Sequence, residues 1–170
     1  MTISEFCEKH RACDDGREWA LANCSTMQEA WETAQHKWLI WIATRRGVVA
    51  DNQLRKFAVW SARQVQHLMT DQRSIEALNI AERFAEGDAT DSELAVALDA
   101  ARAAAWSEAW ASAGAAAGDA AWYAARYAAG YAAGAAARAA AWAEGDASGD
   151  ASGDAQDKWL RTNIVPNFEL

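Results

Sequence analysis

Only one proline and three cysteines occur among the 170 residues of this chain. The usual core formers are also scarce. Leu, Ile, Val and Phe together number 25, a share that on its own points towards disorder. Between Asp99 and Trp159 there is no Leu, Ile, Val, Phe or Met at all. No apolar run is fit to cross a bilayer, because the alanine tracts are too weakly apolar to do so. The N-terminal segment MTISEFCEKH has no basic region followed by an apolar stretch, so no signal peptide is expected. An odd number of cysteines implies no disulfide framework and fits a reducing cytoplasm. Lys and Arg number 16 against 24 Asp and Glu, a net charge of −8. That balance speaks against direct binding to nucleic acid or to an anionic membrane. There is no phosphate loop, no GxGxxG, no HExxH and no recognisable nucleophile, base and acid set. No catalytic residue is assigned, no cofactor is expected, and the chain is not read as an enzyme.

Against these absences stand 44 alanines and ten tryptophans. Tryptophan buries the largest area of any side chain, which argues for a folded chain. The composition divides the sequence into residues 1–98, an N-terminal helical part, and residues 99–170, an alanine-rich helical arm with a C-terminal anchor. An alanine face buries little area, so the arm is expected to depend on the N-terminal part or on a hairpin partner. The fold class read from the sequence is all-α, with five to eight helices. An N-terminal helical bundle packs against an alanine-rich long helix or helical hairpin.

Helix signals recur along the chain. Ser25 to Gln28 has capping-box spacing. His36 to Ala43 is an apolar run read as helix, ending by Gly47. Asp51 caps a helix whose apolar face is Leu54, Phe57, Ala58, Ser61, Val65 and Leu68. Asp71 starts another, with Ile75, Leu78, Ala81 and Phe84 inward and Gly87 at its end. Thr90 and Glu93 form a second capping box that opens the arm. From Asp119 the arm follows a four-residue phrase (DAAW, YAAR, YAAG), and alanine favours helix through about Ala143. Residues 113–119 carry the turn signals of a hairpin. Residues 144–157 are read as loop or frayed helix, since Gly and Asp are poor helix formers. Trp159, Leu160, Ile164 and Val165 form the anchor.

Three groups of residues are candidates for function. Cys7, His10 and Cys13, with Cys24 and His36 further on, suggest soft zinc ligands. On one continuous helix, however, Cys7 and Cys13 would point about 240° apart, so a shared metal needs a turn between them. The alternative is ordinary buried thiols, and no metal ligand is assigned. The second group is acidic: Glu144, Asp146, Asp150, Asp154 and Asp157, without a base among them. Their spacing of four does not suit a calcium loop. They form a solvated face, or an anionic surface offered to a basic partner. The third group is the ring set of the arm, where Trp106, Trp110, Trp122, Tyr123, Tyr127, Tyr131 and Trp142 are interspersed with Arg102, Arg126 and Arg138. Trp, Tyr and Arg dominate binding hot spots, yet these rings are also the arm's only bulky core material. Core packing is the reading for most of them, with a minority exposed.

Several segments taken together resemble a known family. They are Trp19-Ala, the stretch Ser25 to Trp31 (STMQEAW), Lys37 to Trp41 (KWLIW) and Arg55 to Ala62 (RKFAVWSA). The most specific is Ile75 to Thr90 (IEALNIAERFAEGDAT), and Trp159 to Val165 (WLRTNIV) closes the set. The pattern resembles an alanine-rich helical family of bacterial and phage genomes whose members are labelled immunity proteins, and it spans nearly the whole chain. The sequence departs from that pattern at Ala34, where the family usually has Cys, and at His36–Lys37, where it often has Gly-Asp. The resemblance implies a non-catalytic helical protein that neutralises a partner, and it transfers no catalytic residue.

The expected function is therefore a cytoplasmic, non-enzymatic binding protein that inhibits or neutralises another protein or protein complex. It is of the immunity or anti-defence type, as a phage-encoded inhibitor of a bacterial defence complex would be. An acidic nucleic-acid mimic that blocks a nuclease or effector groove is an alternative, and a zinc-containing protein using the N-terminal Cys and His residues is a second. Alanine faces suit a homodimer as well as an internal hairpin.

Overall fold

The computed structural model describes residues 1–68, 71–107 and 149–169. Among the described residues the fold is all-α. The helices there are α1 (Ile3–His10), α2 (Asp14–Asn23), α3 (Met27–Thr33), α4 (His36–Ala43), α5 (Asp51–Gln64), α6 (Gln72–Glu86), α7 (Asp91–Ser107) and α8 (Gly149–Asn163). A single 3-10 turn, Gln66–Leu68, follows α5.

Local chemistry fixes most helix ends. Thr2 and Glu5 form a reciprocal capping box at α1, which satisfies two amide donors that have no partner within the helix. The box expected at Ser25 sits one residue later. Thr26 accepts from the Glu29 amide at 3.1 Å, and the Glu29 carboxylate accepts from the Ser25 amide at 2.5 Å. Asp71 caps α6 by accepting from the Arg73 amide at 2.8 Å. Asp51 is not a cap; Ala50 holds that position and Asp51 is the first helical residue. Thr90 and Glu93 make the capping box of α7, at 2.8 and 3.2 Å. Gly87 closes α6 at φ +91°, a left-handed conformation that costs a residue with a Cβ more than glycine. The apolar run 36–43 is helical, and it stops at Ala43, short of Gly47.

The core lies among α1, α3, α4, α5, α6 and α8. Phe6, Trp31, Leu39, Phe57, Leu78 and Leu160 are its largest fully buried apolar side chains. Helix α5 buries Leu54, Phe57, Ala58 and Ser61 as its periodicity requires, and Val65 is buried just past its end. The side chain of Leu68 lies outside the described residues. Helix α6 is rotated by about one residue from the expected face. It buries Ser74, Ala77, Leu78, Ala81 and Ala85, while Ile75 and Phe84 are only half-buried. Small residues win the inward positions because α6 is packed on both sides, by α5 and by α7, and short side chains permit close approach. The guanidinium of Arg55 lies 5.0 Å from the centroid of the Phe84 ring. Arg63 ties α5 to α6 through Glu82 and Asn79.

The compositional boundary at residue 98 falls inside α7, which runs through it unbroken. Helix α8 returns to the N-terminal cluster, with Leu160 fully buried and Ile164 4% exposed. Trp159 packs on Phe57 and Trp60 at ring separations of 5.4 and 5.8 Å. Val165, assigned to the anchor from sequence, is 88% exposed. The tail beyond it adds to the hold of Trp159, Leu160 and Ile164. The Asn167 amide donates to the Val48 carbonyl at 2.8 Å, and the Phe168 ring meets Phe6 edge-on at 5.9 Å.

The part of segment 144–157 that is described, from Gly149 onward, is helix and not loop. Tertiary packing overrides propensity there. Gly153 is buried against His36, and a Cβ at that position would sit 3.3 Å from the imidazole Cγ. The poor helix former is thus what lets α8 approach α4. The hairpin signals at 113–119 and the helix expected through Ala143 lie outside the described residues.

Candidate functional site

Two features stand out among the described residues, a polar lock that holds α8 and an apolar cavity between α1, α2, α3 and α4. The lock centres on Asp157. Its carboxylate accepts from His36 Nδ1 at 2.6 Å and from Arg161 Nη1 at 3.4 Å, and only 11% of its side chain is exposed. Arg161 also donates from Nη2 to the Ala34 carbonyl at 2.6 Å and from Nε to the Trp31 carbonyl at 3.2 Å. Those carbonyls end α3, so the guanidinium satisfies acceptors that the helix leaves open and sits at the negative end of its dipole. One carboxylate and one guanidinium therefore join α8 to the α3–α4 connection, across more than 120 residues of sequence.

The cavity has a volume of about 240 Å³. Arg11 adopts φ +55° and turns the chain between α1 and α2. That turn brings Cys7 and Cys13 to the same cavity wall, which a continuous helix would forbid. Burial pushes the Cys7 thiol up; the Arg17 charge opposes this weakly, and Cys13 adds to it. Trp19 and Trp38 pack at 4.9 Å with an interplanar angle of 32°. The ammonium of Lys37 lies 4.7 Å from the Trp38 ring centroid, a cation–π contact. Trp41 meets Phe6 edge-on at 6.0 Å. The rest of the wall is small. Ala12, Gly16 and Ala20 recur every four residues along α2 and its approach, and all three line the cavity. That small-residue spacing faces Trp38 and Trp41 only once the turn at Arg11 has set α2 against α1.

The N-terminal zinc ligands do not assemble. His10 packs on Phe6 in a tilted arrangement at 4.5 Å and does not line the cavity. Burial lowers its pKa, and the charges of Lys9 and Arg45 lower it further. Cys24 contacts the Thr33 hydroxyl at 3.7 Å, while His36 belongs to the lock. Among the described residues, no group of three or more His, Cys, Asp or Glu could hold a metal ion. His67 is exposed on the 3-10 turn.

Of the acidic ladder, Asp157 is turned inward and consumed by the lock, which removes it from any anionic surface. Asp154 is exposed on α8. Asp150 lies on the α8 backbone, with its side chain outside the described residues, and Glu144 and Asp146 lie wholly outside them. Trp106 is on the last turns of α7, its side chain likewise outside. Trp110, Tyr123, Arg126, Tyr127 and Tyr131 also fall outside the described residues. Among the described residues, no helix is long and apolar enough to cross a membrane. No family model, curated protein or solved structure matches the chain.

Proposed function

We propose that this chain is a non-enzymatic binding protein that inhibits or neutralises a partner protein or protein complex, in the manner of immunity or anti-defence proteins. The observation that carries the reading is the way the chain is fastened on either side of residues 108–148. Helix α7 packs along α6, and α8 is locked into the bundle by Leu160, Trp159 and the Asp157 lock. A segment rich in Trp, Tyr and Arg is thereby tied at both ends to one packed body. Fastening both ends of a segment reduces the conformational freedom that it must give up on binding a partner. Residue types that dominate hot spots are concentrated in that segment, and the family resemblance points to the same class of activity. Loss of Asp157 from the acidic face takes support away from a nucleic-acid mimic.

Affinity capture from host lysate, with mass measurement of the complex, tests the reading. The expected result is one partner in fixed stoichiometry, lost when Trp110, Tyr123, Arg126, Tyr127 and Tyr131 are changed to alanine in a variant that still melts cooperatively. Capture of no stoichiometric partner, or undiminished capture by that variant, refutes it.

A further inference from the structure

We infer that the cavity between α1, α2, α3 and α4 is a binding site for a small, neutral, planar aromatic molecule of one or two fused rings. The inference does not rest on the proposed protein partner.

Volume sets the size of the ligand. An apolar cavity of about 150 Å³ suffices for benzene, and this one measures about 240 Å³. The cavity is partly open to solvent, and Cys13, Asp15 and Lys37 of its lining are exposed. Larger side chains at Ala12, Ala20 or Ala30 would fill it, yet alanine stands at each. Gly16 serves the same end in another way. A Cβ there would come within 3.2 Å of Trp38 Nε1 and 3.3 Å of Cys13 Sγ. Glycine therefore lets Trp38 lie flush against α2 as a wall of the cavity.

Lining chemistry sets the class of ligand. Trp19, Trp38 and Trp41 offer ring faces and edges to an aromatic guest. Cys7, Cys13 and Met27 place three sulfur atoms around it, and sulfur–aromatic contacts are favourable. The only charged residues in the lining are Asp15 and Lys37, which are opposite in sign, and Lys37 is already engaged over Trp38. Burial keeps the Cys7 thiol protonated. Nothing in the wall selects a net charge, so a neutral guest is favoured.

Indole is the probe, titrated into the full chain by calorimetry and by amide chemical shifts. Three results are expected. Binding saturates at one indole per chain. At saturation, alkylation of Cys13 slows at least fivefold. N-acetyltryptophanamide, which carries the same rings on a peptide unit, binds at least tenfold more weakly. Ala30→Leu, a cavity-filling change, should weaken indole binding at least tenfold while the protein still melts cooperatively. The proposal is overturned if indole does not saturate up to its solubility limit, or if the folded Ala30→Leu variant binds it unchanged. It is equally overturned if N-acetyltryptophanamide binds as well as indole, which would make the site a socket for a partner's side chain. Should Ala30→Leu not fold, Cys13 in the unaltered protein decides, since an alkylation rate unaffected by saturating indole overturns the proposal.

Discussion

Replacing Leu160 by alanine should destabilise the entire protein, although the residue lies beyond the alanine-rich stretch and close to the C-terminus. Leu160 is fully buried on α8 and belongs to the main core cluster. Truncating such a leucine costs its transfer free energy plus the cavity left behind, about 2–5 kcal/mol. With a central value of about 3 kcal/mol, and about 2–4 °C per kcal/mol for a chain of this size, the melting temperature should fall by roughly 6–12 °C. Val165, five residues on, is 88% exposed, so Val165→Ala should stay within about 0.5 kcal/mol of the parent. Urea unfolding followed by both far-ultraviolet circular dichroism and tryptophan fluorescence measures the effect. If α8 is part of the cooperative core, the two probes coincide and the midpoint drops with no change in slope. A loss below about 1 kcal/mol for Leu160→Ala would refute the reasoning, because α8 would then be an appendage. Equal losses for the two variants would refute it too.

Asp157→Asn keeps the shape of the lock but removes the charge that His36 and Arg161 share. Charged hydrogen bonds contribute about 1.5–3 kcal/mol, and with the His36 side chain 38% exposed solvent screening reduces the expected loss to about 1–2 kcal/mol; an unmoved urea midpoint would count against the lock. The pKa of His10 is lowered in the fold from its ordinary 6.5, so the folded state binds this proton more weakly than the unfolded chain does. Its contribution to stability is complete above pH 6.5 and is lost as the pH falls from there to the lowered value. His10→Gln should flatten that part of a stability–pH curve, and an identical slope in the variant would contradict the assignment. In native protein, iodoacetamide should modify the exposed Cys13 first and Cys7 last, since Cys7 is 6% exposed and burial raises its thiol pKa. Peptide mapping by mass spectrometry gives the order, and labelling of Cys7 as fast as Cys13 would contradict the packing of α1.

The helical class and much of the helix punctuation were legible in the residues themselves. Thr90 with Glu93, Asp71 and Gly87 act over three or four positions, and such short-range hydrogen bonding is encoded locally. The periodicity of α5 was legible for the same reason. Where two helices compete for one surface, local pattern loses its authority. The inward face of α6 is set by the need to fit between α5 and α7, which selects Ala77 and Ala85 over Ile75 and Phe84. By propensity Gly153 and Asp157 mark a loop. They are helical because His36, more than 110 positions earlier in the chain, supplies a flat ring for one and a hydrogen-bond donor for the other. The cavity was likewise hidden. Its small residues at 12, 16 and 20 acquire meaning only when the turn at Arg11 sets α1 beside α2 and α4 brings its tryptophans opposite. Local chemistry was enough to make this chain helical and to set where several of its helices begin and end, because those choices are made within a turn or two of backbone. Which carboxylate is buried, which residues of the tail add to the anchor and where the apolar cavity lies were set by packing, because each depends on side chains brought together from different helices.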